Sequence, residues 1–310
     1  MIYLVAVVCY APGSAYLLLV YFCVTKTLPL ILRLIVLFLC LSSFHPPGSK
    51  RRSIFTSDHT MSVIRSFLHH FGSYVLWKRQ MFSKPENLRM YYNETIRQMY
   101  DIGIGSLPIV FLISIFIGAV TAVQFYYQMD GTLIPPYYIG YIVRDMTIIE
   151  LAPTITCLVL AGKVGSNMAA ELGGMRQKEH IDAMEIMGVN TSSYLVMPKI
   201  VAAILVIPLL VCVAALVSII GAYLAAVPTG LFSTADYIKG IRSFFVPYNV
   251  FMMFVKAIVF AYILTGVSCY QGYYVKGGSI ELGEASTRAV VYSDILILLA
   301  DYIIAVVLTA

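Results

Sequence analysis

After residue 100 the chain carries five runs of mainly apolar residues, at about 102–125, 146–168, 196–227, 250–273 and 290–308. A helix needs roughly 20 such residues to cross a hydrocarbon core about 30 Å thick. Inside that core every backbone polar group must find its partner within the protein, which restricts spanning segments to helices and closed barrels. Barrel strands alternate with a period of two, and these runs do not. A composition of 60% hydrophobic and only 12% charged residues excludes an ordinary soluble domain. The reading is therefore an all-α integral membrane protein with five transmembrane helices.

Between the second and third runs lies a polar island, Glu171-Leu-Gly-Gly-Met-Arg-Gln-Lys-Glu-His-Ile-Asp-Ala-Met-Glu-Ile-Met-Gly-Val-Asn190. Gly173-Gly174 is expected to break the preceding span, leaving a short helix over 175–187 that stops at Gly188. On it Gln177, Ile181, Met184 and Met187 share one helical face, and Lys178, Asp182 and Glu185 another. Periodicity alone leaves two readings open. The helix is either a solvated connector resting on its own bundle or a docking element for a partner in water.

Basic residues decide which side that is. Arg65, Lys78, Arg79, Lys84, Arg89 and Arg97 precede the first span, Lys163, Arg176, Lys178 and Lys199 surround the island, and Lys276 and Arg288 lie in the fourth connection. The opposite side keeps Arg144, Lys239 and Arg242, with Lys256 at its edge. This imbalance places the island in the cytoplasm and the C-terminus across the membrane.

Residues 1–60 form an apolar leader interrupted by Pro12, Lys26, Pro29 and Arg33 and closed by a polar stretch, His45 to Ser53. Met61 is the expected start of the native chain. From there Ile64, Phe67, Leu68, Phe71 and Val75 follow helical spacing and end at Trp77-Lys78-Arg79. That pattern predicts an amphipathic helix in the cytoplasmic interface, within a segment 61–100 that leads into a membrane domain at 101–310. Cys157, Cys212 and Cys269 lie in separate apolar runs without metal-ligand spacing and read as small buried residues.

Four charges, Glu150, Lys163, Lys256 and Asp301, fall in or near apolar runs. An ionised group there costs about 2.5 to 3.5 kcal/mol on insertion scales unless it is paired or hydrated. Lys163 is expected to snorkel to the cytoplasmic interface.

The stretch Leu160-Ala-Gly-Lys-Val-Gly-Ser-Asn-Met-Ala-Ala-Glu-Leu-Gly-Gly-Met-Arg176, continuing through Glu179-His-Ile-Asp-Ala-Met-Glu-Ile-Met-Gly188 to Pro198, resembles the MlaE family of ABC-transporter permeases. A second match is Gly283-Glu-Ala-Ser-Thr-Arg-Ala-Val-Val-Tyr-Ser293, followed by Asp301 in the last span. The resemblance runs from about residue 61 to 310 and is carried by polar motifs. It implies a multi-pass subunit of a bacterial inner membrane that moves phospholipids or related lipids between that membrane and a periplasmic MCE-domain partner. The implied assembly holds a second copy of the chain and a cytoplasmic ABC ATPase that binds ATP and Mg, and it has room for a small cytoplasmic regulatory subunit. No cofactor is implied on this chain, nor any nucleic acid.

On this resemblance residues 171–188 form the element that couples to the ATPase, with Glu171, Met175, Glu179, Asp182 and Met187 as contacts or as groups that hold it. Family members tend to carry an Arg-Glu pair where this chain has Ile149-Glu150. Lys256 is accordingly expected to bridge Glu150 and Asp301 near the base of a lipid-receiving cavity, or else to fix helix register. No Walker A pattern occurs, and Lys276-Gly-Gly278 lacks the spacing of a phosphate loop, so ATP is expected on another polypeptide. No HExxH motif, nucleophile elbow or Cys/His pair points to an enzyme. The alternative function is an ion-coupled secondary transporter or channel with Glu150 and Asp301 as a proton relay, which predicts internal repeats and independence from an ATPase.

Overall fold

The computed structural model describes Gly72, Trp77, residues 88–129, Pro135, and residues 137–226, 228–230 and 233–309. Apart from Gly72, these belong to one compact unit, residues 73–310. The expected start at Met61 and the interfacial helix after it lie outside the described residues except at Gly72 and Trp77. Trp77, at the end of that amphipathic pattern, is enclosed by protein, with its ring 5.7 Å from Tyr270 in an edge-on contact.

Seven helical elements follow among the described residues: α1 (Leu88–Met129), α2 (Tyr137–Gln177), α3 (His180–Ile186), α4 (Thr191–Ala226), α5 (Thr234–Arg242), α6 (Pro247–Tyr273) and α7 (Ser279–Thr309). Five of them, α1, α2, α4, α6 and α7, are long and apolar enough to cross a membrane. At about 1.5 Å per residue, the 42 residues of α1 extend about 60 Å, roughly twice the hydrocarbon thickness. Its first turns, with Arg89, Glu94 and Arg97, are too polar to register as an apolar run.

The core is built by α2, α4 and α6, whose Leu160, Leu172, Ile207, Phe260 and Leu264 are fully buried. Helix α1 lies along α4, and glycine sets their separation. A methyl group added to Gly118 would collide with the Ser218 carbonyl, and one added to Gly221 with the backbone of Ile115. In lipid, where apolar side chains gain nothing by leaving water, such close backbone approach is a principal source of helix association. Gly221→Val is expected to lower stability by about 1–3 kcal/mol through overpacking. An unchanged melting temperature in detergent would refute that packing.

The island departs from its expected shape. Helix α2 runs through Gly173-Gly174 to Gln177: Gly173 serves packing, since a methyl there would strike Leu282 of α7, whereas Gly174 borders open space. The break comes at Lys178-Glu179, where Glu179 takes a left-handed conformation with φ 59°. Helix α3 then stops at Gly188 as expected. Gly188 has φ 81°, its N–H donates to Glu185 O, and Val189 N–H donates to Met184 O. This pair of bonds satisfies the last carbonyls of the helix in a Schellman closure.

At the other end of the bundle, α5 folds back over the start of α2. Gly140 and Gly240 bring the two helices together, since a methyl at Gly240 would meet the Gly140 Cα at 3.0 Å. Tyr237 is buried and donates to Ile219 O at 2.9 Å. Burial pushes its phenol up from the ordinary value, which keeps it a neutral donor.

Candidate functional site

Helix α2 contains two π turns, and each carries one of its intramembrane charges. The first spans Thr147–Leu151 and contains Glu150; its closing bond runs from Ala152 N–H to Thr147 O. The second spans Ala161–Gly165 and contains Lys163, closed by Ser166 N–H to Ala161 O. Pro153 has no N–H and its ring would crowd the carbonyl four residues back, so a locally widened turn relieves the helix just before it. Such bulges often mark functional positions, and each rotates the side chains beyond it.

Around the first π turn, three charges from three spans meet. Lys256 of α6 is fully buried; its ammonium donates to Glu150 Oε1 at 2.7 Å and lies 2.7 Å from Asp301 Oδ1 of α7. Thr154 Oγ1, one turn along α2 from Glu150, donates to Asp301 Oδ2 at 3.1 Å. The carboxylates are less enclosed: side-chain exposure is 39% for Glu150 and 16% for Asp301. A cation taken wholly out of water between two carboxylates leaves one surplus negative charge, and Glu150 is the more exposed of the two acids.

The second π turn carries Lys163, which is exposed and whose amine donates to the Gly105 carbonyl of α1. Lys199 is no flanking surface cation. It is buried at the start of α4 and pairs with Glu171 at 2.5 Å.

The residues of 171–188 divide by direction. Glu171 is engaged with Lys199, Met175 packs against the core, and Asp182 pairs with Arg176 at 2.7 Å. Arg176 also stacks over the Tyr273 ring at 5.9 Å. The Tyr273 hydroxyl lies 2.8 Å from Glu185 Oε1 and 2.7 Å from Thr191 Oγ1, so the end of α6 clasps both α3 and the start of α4. On α3, Ile181 is fully buried and Met184 packs against the core, whereas Glu179 and Met187 face water. Ile181 and Met184 thus keep the expected packed face, but Met187 lies past the end of α3 at 70% exposure, beside Ile186, which the periodicity did not single out, at 87%.

Sequence reasoning also missed Arg144, taken as a flanking charge. Its guanidinium is buried, pairs with Asp145 at 2.7 Å, and donates to the carbonyls of Ile241, Ser243 and Phe244 at 2.6, 2.8 and 3.1 Å. These are carbonyls at and just beyond the C-terminal end of α5, which the helix itself leaves without N–H partners.

The family profile described as Permease MlaE matches residues 95–307. A probable ABC transporter permease protein of Rickettsia bellii is 37% identical over 69% of this chain and 83% of its own length. One from Rickettsia conorii is 36% identical over 77% of this chain and 92% of its own length. The intermembrane phospholipid transport system permease protein MlaE of Haemophilus influenzae is 28% identical over 74% of this chain and 87% of its own length.

Proposed function

The chain belongs to the MlaE permease family, and on that footing we propose that it is the membrane subunit of an ABC transporter that moves phospholipid between the inner membrane and a periplasmic lipid-binding partner. Two copies of the chain enclose the lipid path, a periplasmic MCE-domain protein receives or delivers the lipid, and a cytoplasmic ATPase drives the cycle. The observation that carries this reading is α3. It is a short helix set off by a left-handed joint, clasped to the bundle by Arg176 and Tyr273, and it offers Ile186 and Met187 to water.

An exposed apolar pair rimmed by charge suits a docking contact, whose energy concentrates in a few desolvated side chains. The internal clasps make the helix a rigid lever: motion of an ATPase against α3 reaches α2 through Arg176, α6 through Tyr273 and α4 through Thr191. Along α2 it arrives at the π turn bearing Glu150. The cluster of Glu150, Lys256 and Asp301 then lies where the spans rearrange around lipid.

The test is co-purification of the ATPase with the full chain. Met187→Asp and Ile186→Asp are each expected to weaken association by about 2 kcal/mol or more, roughly thirtyfold. Both side chains point into water, so folding is expected to be unaffected. Undiminished binding in both variants would sink the docking role of α3. Transport that persists with an ATPase unable to hydrolyse ATP would instead favour the ion-coupled alternative at Glu150 and Asp301.

A further inference from the structure

A second polar site lies well away from the buried charge cluster. A cavity of about 580 Å³ opens between α1, α2 and α7, lined among others by Asp101, Ser106, Lys163, Ser166, Asn167 and Ser286. None of Glu150, Lys256 and Asp301 lines it. Lys163 is 13 residues beyond Glu150, which places the cavity about 20 Å closer to the island end of α2. Here the apolar run of α1 begins and that of α2 ends, at the end of the bundle that the bias of basic residues assigns to the cytoplasmic headgroup region.

The lining reads as a built site. Ser106 is fully buried, and its Oγ has no hydrogen-bond partner among the described residues. A buried hydroxyl left unpaired costs about 1–3 kcal/mol, so such groups usually mark a missing partner. Lys163 uses one N–H on the Gly105 carbonyl, and an ammonium has three. Among the described residues, Asn167 is exposed and its amide makes no hydrogen bond.

Charge accounting narrows the ligand. Glu171 also lines the cavity, but Lys199 answers its charge at 2.5 Å. Among the described residues, that leaves one cation, Lys163, and one anion, Asp101, without an ion-pair partner on the wall. A neutral polar ligand would leave both unanswered, and a simple anion would leave Asp101. A zwitterion with a phosphate and a primary amine answers both, and the volume suits a headgroup rather than a whole lipid.

We infer that this cavity binds the phosphoethanolamine-type headgroup of a lipid in the cytoplasmic leaflet, with the phosphate on Lys163 and Ser106 and the amine on Asp101. The inference rests on the lipid-permease reading only for the ligand's being a lipid. Because Glu171 joins the cavity wall to Lys199 of α4, an occupied site bears on the same end of α2 that α3 adjoins.

The test measures acylation of Lys163 in the full chain, held in nanodiscs of phosphatidylglycerol with or without phosphatidylethanolamine. An amine-reactive reagent in trace amount, too little to acylate more than a small fraction of the phosphatidylethanolamine amines, is followed by peptide mass spectrometry, with exposed Lys276 as the internal rate reference. Phosphatidylethanolamine is expected to slow acylation of Lys163 about tenfold, the equivalent of one charge-assisted contact. Ser106→Ala, which deletes only an unpartnered hydroxyl, and Asp101→Asn are each expected to erase most of that protection. Equal rates in the two bilayers would overturn the inference. So would equal protection by inorganic phosphate or glycerophosphoethanolamine at millimolar concentration, which would make the occupant a soluble phosphate. Absence of ATP-driven lipid transfer by the unsubstituted chain with its ATPase, with protection intact, would strike the permease reading and leave this site standing.

Discussion

Lys256→Met is expected to destabilise the folded protein by about 3–5 kcal/mol, the usual consequence of removing one partner from a buried ion pair. Lys256 is fully enclosed and is the cation that both Glu150 and Asp301 contact at 2.7 Å. Methionine fills nearly the same space, so the loss comes from charge and not from a cavity. Two carboxylates from α2 and α7 would then face each other across a medium that screens poorly, and α6 would no longer hold them together.

Stability alone does not separate a register clamp from a transport element. The triple variant Glu150→Gln, Lys256→Met, Asp301→Asn removes every charge at once, and neutral replacement of a buried charged set is often close to neutral for stability. Its melting temperature is expected to recover most of the loss, while ATP-driven lipid transfer stays abolished. Full transfer in that stable triple variant would reduce the cluster to a structural clamp. A melting temperature that fails to recover would mean that methionine, not charge, disrupts the site.

How far the sequence discloses this arrangement depends on what sets each feature. The five spans are legible because length and apolarity alone decide whether a helix can cross a bilayer, and the five long helices observed match the five apolar runs. Lone charges within those runs disclose that Glu150, Lys256 and Asp301 need partners, since lipid offers none. The π turns that carry Glu150 and Lys163 are not legible: an i+5 bond depends on neighbouring spans, and although Pro153 follows the first turn, no proline stands near the second.

Gly173-Gly174 misleads for a related reason. Glycine breaks a helix in water but permits close approach in a bundle, and for Gly173 the distinction lies in Leu282, more than 100 residues on, while Gly174 makes no such approach. Periodicity places Ile181 and Met184 on the packed face correctly, and Ile186 escapes it because it lies five residues from Ile181, about 140° around the helix and so on the face turned away. Lys199 and Arg144 sit at the edges of apolar runs, where they read as interfacial. Their burial is decided by Glu171 and by the end of α5, both distant in sequence.

Arg144→Met is expected to release the far-side segment around α5 at a cost of about 3 kcal/mol or more. Arg144 donates to three main-chain carbonyls as well as to Asp145, and a buried acceptor that loses its donor costs about 1–3 kcal/mol unless water reaches it. The aromatic contacts to Tyr141, at 5.1 Å, and Phe245, at 5.5 Å, would be lost with the guanidinium. Phe244, held with φ 52° next to its bonded carbonyl, sits in a backbone conformation that costs a non-glycine residue about 1–3 kcal/mol and persists only while its surroundings impose it. The loss should therefore be local and concentrated at residues 241–246. Faster amide exchange there, with α4 and α6 protected as before, is the expected reading. Arg144→Lys should rescue little of it, because an ammonium lacks the planar fork that reaches three carbonyls and a carboxylate together. Exchange rates restored by lysine would show that a point charge suffices and that the fork geometry is incidental. Rates unchanged even in Arg144→Met would remove Arg144 as the holder of this segment and leave Tyr237 and the Gly140–Gly240 contact to position it.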